Sequence, residues 1–79
     1  MNNKPTPKQE ALWKTYMVIV ENLDNRFGDA HGLHEQHQQI AIKQLALITG
    51  QTDGDVRDDI IVVCEWLKEI FTKGENQNV

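Results

Sequence analysis

Apolar residues recur at three- and four-residue steps in three successive segments of this chain, and a glycine closes each segment. This spacing places the apolar side chains of a segment on one face of an α-helix. The last segment keeps the regular alternation of steps longest, through Val56, Ile60, Val63, Leu67 and Ile70. A seam of this kind is typical of helices that pack nearly parallel or antiparallel to one another. The pattern therefore predicts an all-α protein, a small three-helix bundle.

The predicted helices cover residues 7–27, 33–49 and 55–73. Thr6 and Pro7 suit the cap and the first position of a helix, and Gln9 stands where a capping box needs it. Glycines at positions 28, 50 and 74 mark the predicted helix ends. We expect a flexible N-terminal segment over residues 1–6, a single helical domain over 7–74 and a polar C-terminal tail over 75–79.

The predicted helices carry more apolar surface than one copy of the chain can bury. A domain of 79 residues buries a limited fraction of its surface, so disulfides, a metal or a partner chain usually support it. The single cysteine, Cys64, cannot form an internal bridge, and we expect it to pack on the seam as a small apolar residue. We predict a helical homodimer or a protein partner, bound through apolar residues that lie off the main helix faces: Trp13, Met17, Val18, Ile42, Ile61, Val62 and Trp66.

Charge and composition argue against several classes of function. Twelve acidic and eight basic residues give a net charge of −4, which opposes phosphate contacts and disfavours direct nucleic-acid binding. The chain shows neither a signal-peptide pattern nor an apolar stretch of membrane-spanning length, so we expect a cytoplasmic protein. No catalytic triad or phosphate-binding glycine loop is evident, which predicts a protein that is not an enzyme and uses no cofactor.

Three histidines, His31, His34 and His37, follow one another at three-residue steps. Two histidines at this spacing on a helix can reach one metal ion, but the third diverges around the helix and no further ligand is evident. We therefore predict a solvated helix start without a metal. A pH-dependent association near pH 6 is the alternative role for these side chains.

Residues 42–61 resemble the helix-turn-helix pattern, with Leu45 in the first helix, Gly50 at the turn and Val56 at the inward position of the second helix. The resemblance implies a second helix that reads DNA or contacts a protein, and the alternative is an unrelated helical hairpin with a short glycine turn. Two residues depart from the pattern, because Gln51 and Asp59 stand where apolar residues are preferred.

The second helix of that pattern begins with an acidic run. We predict that this run forms a partner-facing surface that fits the basic groove of a DNA-binding protein, the alternative being that it complements the helix dipole. Its members are Asp53, Asp55, Asp58 and Asp59.

In size, charge and simplicity the chain is similar to accessory proteins of phages and mobile elements, such as antirepressors and nuclease inhibitors. That resemblance implies a small acidic protein–protein interaction module, regulatory or inhibitory, that binds a larger protein. The alternatives are a helix-turn-helix transcriptional regulator that uses residues 42–61 and a structural assembly subunit.

Overall fold

A computed structural model describes the backbone of residues 4–77 and the side chains of residues 4–72. It contains three helices, α1 (Pro7–Phe27), α2 (Leu33–Thr49) and α3 (Asp53–Gln77). Each helix packs against the other two, and residues 4–77 contain no strand. The prediction of a small all-α three-helix bundle is confirmed.

The start of α1 follows the sequence signal closely. The Thr6 hydroxyl accepts a hydrogen bond from the Gln9 backbone N–H at 3.1 Å, and the Gln9 side-chain oxygen accepts one from the Thr6 backbone N–H at 3.0 Å. This reciprocal capping box satisfies two backbone donors that a helix start otherwise leaves free. Within the segment predicted to be flexible, Pro5 is buried and Thr6 is held by the cap, whereas residues 1–3 lie outside the described residues.

The connection between α2 and α3 is short and well defined. Gly50 ends α2 with a φ of 75°, a left-handed conformation that favours glycine. The Thr52 hydroxyl then accepts a hydrogen bond from the Asp55 backbone N–H at 3.1 Å. This cap lets α3 begin at Asp53, two residues before its predicted start.

The other end of α3 also differs from the sequence expectation. Gly74 was expected to end the helix, but α3 continues through it to Gln77. Residues 75–77 of the predicted polar tail are therefore helical, and residues 78–79 lie outside the described residues. A glycine inside a helix costs only about 1 kcal/mol relative to alanine, so it ends a helix only where the local backbone turns away.

The core lies where the three helices meet, with Trp13 and Ile19 packed at its edge. Ile42 was expected to point outwards, but it is 6% exposed and belongs to this core, whereas Ile40 is exposed. The buried face of α2 is therefore wide enough to include the adjacent residues Ala41 and Ile42. The buried core cluster consists of Leu12, Tyr16, Val20, Ala41, Ile42, Leu45, Ala46, Val56 and Ile60.

None of the helices in the described part of the chain combines the length and the apolar character needed to cross a membrane.

Candidate interaction surfaces

The seam of α3 is buried in its first half and exposed in its second half. Val56, Ile60 and Val63 are buried, Leu67 is half-buried, and Ile70 is 41% exposed. Phe71 beside it is 69% exposed. With 25 residues, α3 is longer than α1, which has 21, and α2, which has 17, so its last turns have less helix surface to pack against. We call residues 64–72 the outer segment of α3.

Cys64 belongs to this outer segment and is exposed, contrary to the expectation that it packs on the seam. It follows the buried Val63 and is therefore turned about 100° around the helix from it. In the second half of α3 this turn is enough to bring a side chain into solvent. The Cys64 thiol on the outer segment is therefore accessible to reagents in solution.

The apolar residues predicted to mediate association have different environments. Four of them are exposed, namely Met17, Val18, Ile61 and Val62. Trp13 and Trp66 are half-buried. Ile42 is a core residue and is removed from the candidate interface.

The structure also exposes two apolar residues near the end of α2. Leu47 is 83% exposed and Ile48 is 72% exposed. Ala41 and Ala46 are both buried and mark the inner face of α2. Small residues of this kind could have indicated that face from the sequence, because they allow helices to approach closely. The face that contains them leaves Leu47 and Ile48 in solvent.

Leu47 lies at the junction of α2 with the acidic start of α3. Lys43, Ala46, Leu47, Gln51 and Asp53 line a surface cavity of about 320 Å³ at this junction. We call this surface the α2–α3 corner. An exposed apolar side chain is therefore placed next to a carboxylate, within a shallow depression.

Three of the four acidic residues predicted to face a partner do lie on the surface. Asp53, Asp55 and Asp58 are exposed. Arg57, the basic residue among them, has its guanidinium 3.4 Å from the Gln39 side-chain oxygen on α2. The first turns of α3 therefore present excess negative charge.

Asp59 is a correction to the predicted acidic surface. One oxygen of its carboxylate accepts a hydrogen bond from the Gln9 side-chain nitrogen at 3.0 Å, and the other accepts one from the Gln51 side-chain nitrogen at 3.2 Å. These bonds join the first turn of α1, the α2–α3 connection and α3. A carboxylate accepts hydrogen bonds and donates none when ionised, so both amides must turn their nitrogens towards it.

This arrangement also explains both departures from the helix-turn-helix pattern. Gln51 and Asp59 occupy positions where that pattern prefers apolar residues, and here they contact each other. A polar pair thus replaces an apolar one. The Gln51 side-chain oxygen is buried without a hydrogen-bond partner among the described residues.

The histidine segment is held by a carboxylate from α1. The two oxygens of Asp24 lie 2.6 Å from Nδ1 of His34 and 2.7 Å from Nδ1 of His37. His37 is buried, and its ring centre lies 6.2 Å from that of Phe27. The expectation of a fully solvated helix start is therefore wrong for His37, because Asp24 supplies a partner for a buried imidazole.

The hydrogen bonds from the two imidazoles, with that from His37 the larger, lower the pKa of Asp24 below its usual value of 3.8. In the neutral state each ring must carry its proton on Nδ1 to donate to Asp24. His34 then has a free Nε2 that accepts from the Gln38 side-chain nitrogen at 3.4 Å. His31 lies in the connection before α2 and is exposed. No cluster of three or more His, Cys, Asp or Glu residues suited to a metal ion is found in the described part of the chain.

A groove of about 270 Å³ between α1 and α2 forms a further candidate. Its two threonine hydroxyls are used internally, since Thr15 donates to the Ala11 carbonyl at 3.0 Å and Thr49 donates to the Leu45 carbonyl at 2.7 Å. The groove therefore presents mainly apolar groups, with Lys8 and Ile48 also in its lining.

Comparison with known proteins found no matching family model, curated protein or solved structure.

Proposed function

We propose that this protein is a small protein–protein interaction module that binds a larger protein through the α2–α3 corner. The observation that carries the proposal is Leu47, a large aliphatic side chain that is 83% exposed and lines a cavity with Asp53. A single exposed leucine is ordinary. Leu47 differs because it lines a depression beside a carboxylate, whereas the next residue, Ile48, is 72% exposed but lines the separate groove between α1 and α2.

The charge around this corner indicates the chemistry of the partner. Protein interfaces commonly combine an apolar centre with a polar rim. In this protein the rim is the exposed acidic start of α3, with Asp53, Asp55 and Asp58, and the whole chain has a net charge of −4. A partner with an apolar pocket bordered by lysine or arginine fits this surface, and opposite charges speed the encounter.

A basic partner surface of this kind is characteristic of proteins that bind nucleic acids. The proposed role is therefore that of a regulatory or inhibitory accessory protein that covers such a surface. In this role the acidic residues guide the partner, and Leu47 supplies the contact that holds it.

The test is affinity capture from the native cell with the wild-type chain and two variants, followed by titration calorimetry with the purified partner. Leu47→Ser should weaken binding by about tenfold or more, as expected for an interface hot spot. Val18→Ser changes an exposed apolar residue of α1 outside the corner and serves as the matched control, which should bind as the wild type does. Equal binding by the wild type and Leu47→Ser would overturn the proposal.

A helix-turn-helix regulator is the second candidate, and the α2–α3 connection favours it. Only residues 50–52 separate the two helices, and Gly50 adopts the left-handed conformation there, as in a short glycine-containing turn of that motif. The exposed acidic residues at the start of α3 oppose contact with phosphates. Electrophoretic shift of duplex DNA, with affinity falling steeply as salt rises, would favour this candidate over the interaction module.

A further inference from the structure

We propose that a second copy of this chain docks on the outer segment of α3 and forms a two-fold symmetric dimer. This inference uses a different surface from the α2–α3 corner and does not depend on the proposed function. It replaces the broader set of association residues predicted from the sequence with one continuous stretch of helix.

The apolar seam of α3 runs from the core into the outer segment without interruption. The steps that place Val56, Ile60 and Val63 in the core lead on to Leu67 and Ile70 without a break. A seam with this spacing packs against another helix. Among residues 4–72, whose side chains the structure describes, the seam is covered in its first half, whereas Ile70 and Phe71 are exposed.

The apolar face of the outer segment is wider than a simple seam. Cys64 and Phe71 follow Val63 and Ile70 in sequence and extend the apolar face on one side, and Trp66 extends it on the other. Trp66 is half-buried and Phe71 is 69% exposed. Aromatic residues at the centre of a contact between helices are typical anchors of protein interfaces.

The charge of the outer segment permits a second copy to approach. The outer segment contains Glu65, Lys68 and Glu69, so both signs are present and two copies meet without strong repulsion. The first turns of α3 are different, because Asp53, Asp55 and Asp58 are exposed there and like charges disfavour self-pairing. Self-association is therefore favoured at the outer segment and opposed at the start of the helix.

The exposed apolar area of the outer segment is large enough for a weak dimer. Phe71 and the other apolar residues of the outer segment offer on the order of 400 Å² of exposed surface per copy, taking aromatic side chains at about 200 Å² each. When a polar rim is added, the total surface that two copies bury together reaches about 1,000 Å², the lower end of the range for specific interfaces. Such an area fits a weak dimer with a dissociation constant in the micromolar range.

The test measures the mass of the full chain by sedimentation equilibrium from about 1 to 200 μM, a range that brackets a micromolar constant. The wild type should change from monomer to dimer across this range. Phe71→Ser should raise the dissociation constant at least tenfold. Leu47→Ser, the control on the other surface, should leave it unchanged, and circular dichroism checks that both variants remain helical.

Cys64 gives a second measurement without further mutation. The rate at which a small thiol reagent modifies this single exposed cysteine should fall as the wild type dimerises at high concentration, and that fall should disappear in Phe71→Ser. A monomer at every concentration overturns the proposal. A dimer that survives Phe71→Ser but is lost in Leu47→Ser also overturns it, because the contact would then lie on α2.

Discussion

At the scale of single residues, two carboxylates act as fixed acceptors within the fold. Asp24 receives hydrogen bonds from two imidazoles, and Asp59 receives them from two amides. In both cases each oxygen of the carboxylate has its own partner. Sequence reasoning treated Asp59 as part of a free acidic surface, because nothing in the local pattern shows that Gln9, 50 residues earlier, reaches it.

Replacing Asp59 by alanine should destabilise the protein by about 1–3 kcal/mol, because two part-buried amide nitrogens lose their acceptor. Chemical unfolding in urea measures this change. Asp58→Ala is the matched control, since Asp58 is the exposed neighbour, and its effect should stay within about 0.5 kcal/mol. Equal effects of the two substitutions would show that the Asp59 hydrogen bonds contribute nothing to stability.

Asp24 should make stability depend on pH in the acidic range. Its pKa in the folded protein lies below the usual 3.8, so the folded state favours the ionised carboxylate. The resulting stabilisation is complete above the unfolded pKa and is lost as the pH falls through the lower, folded pKa.

The corresponding experiment follows urea unfolding from about pH 5, above the unfolded pKa of Asp24, down to about pH 2. Asp24→Asn should show a smaller loss of stability on acidification than the wild type, because its side chain does not titrate. Asp29→Asn, which changes an exposed carboxylate in the α1–α2 connection, should retain the wild-type loss. An Asp24→Asn curve that runs parallel to the wild-type curve contradicts the assignment.

At the scale of helices, prediction succeeded where local chemistry sets the structure. The capping box of α1 and the Gly50 turn depend on residues within four positions of one another, and both appear as expected. The inner face of α2 depends on how α1 and α3 pack against it, so periodicity alone wrongly placed Ile42 outside the core. The exposure of Ile70 likewise depends on the relative lengths of the three helices, which no local pattern contains. The candidate surfaces could therefore be predicted only in part.

Two glycines at the α2–α3 junction should respond oppositely to the same substitution. Gly54 lies in the first turn of α3, where an added Cβ meets only the Thr52 hydroxyl at 3.8 Å. Alanine there should stabilise the protein by about 0.5–1 kcal/mol, because alanine favours the helix. Gly50→Ala should instead destabilise it by about 1–2 kcal/mol, since φ is 75° and a Cβ is strained in that conformation.

Thermal unfolding followed by circular dichroism measures both effects. The midpoint should rise for Gly54→Ala and fall for Gly50→Ala. A fall for both variants would mean that α3 does not begin at Asp53 as a regular helix.

At the scale of the whole molecule, the shape leaves much of the chain at the surface. The extents are 39 × 30 × 16 Å and the radius of gyration is 14.2 Å, whereas a compact domain of this length has about 12 Å. A thin molecule has few positions shielded from solvent on all sides. This shape accounts for the exposed apolar side chains at the end of α2 and in the second half of α3.

The two proposed surfaces lie at different ends of α3, a helix of 25 residues and hence about 37 Å long. If both proposals hold, a dimer formed through the outer segments leaves both α2–α3 corners free. We therefore expect a complex of two copies of this chain with two partner molecules, in which the symmetry of the dimer repeats the binding site.

Light scattering after size-exclusion chromatography measures the mass of that complex. The wild type should give a complex of two copies of this chain with two partner molecules. Phe71→Ser should give a complex of one copy with one partner molecule, and the affinity of each corner should be unchanged. Two copies bound to one partner would contradict the arrangement, because the partner would then cover a surface shared by both copies.

Paired sites also strengthen attachment to a partner that is itself dimeric, by raising the effective concentration of the second site. Phe71→Ser should therefore dissociate faster from a dimeric partner than the wild type does, although its contact at the corner is intact.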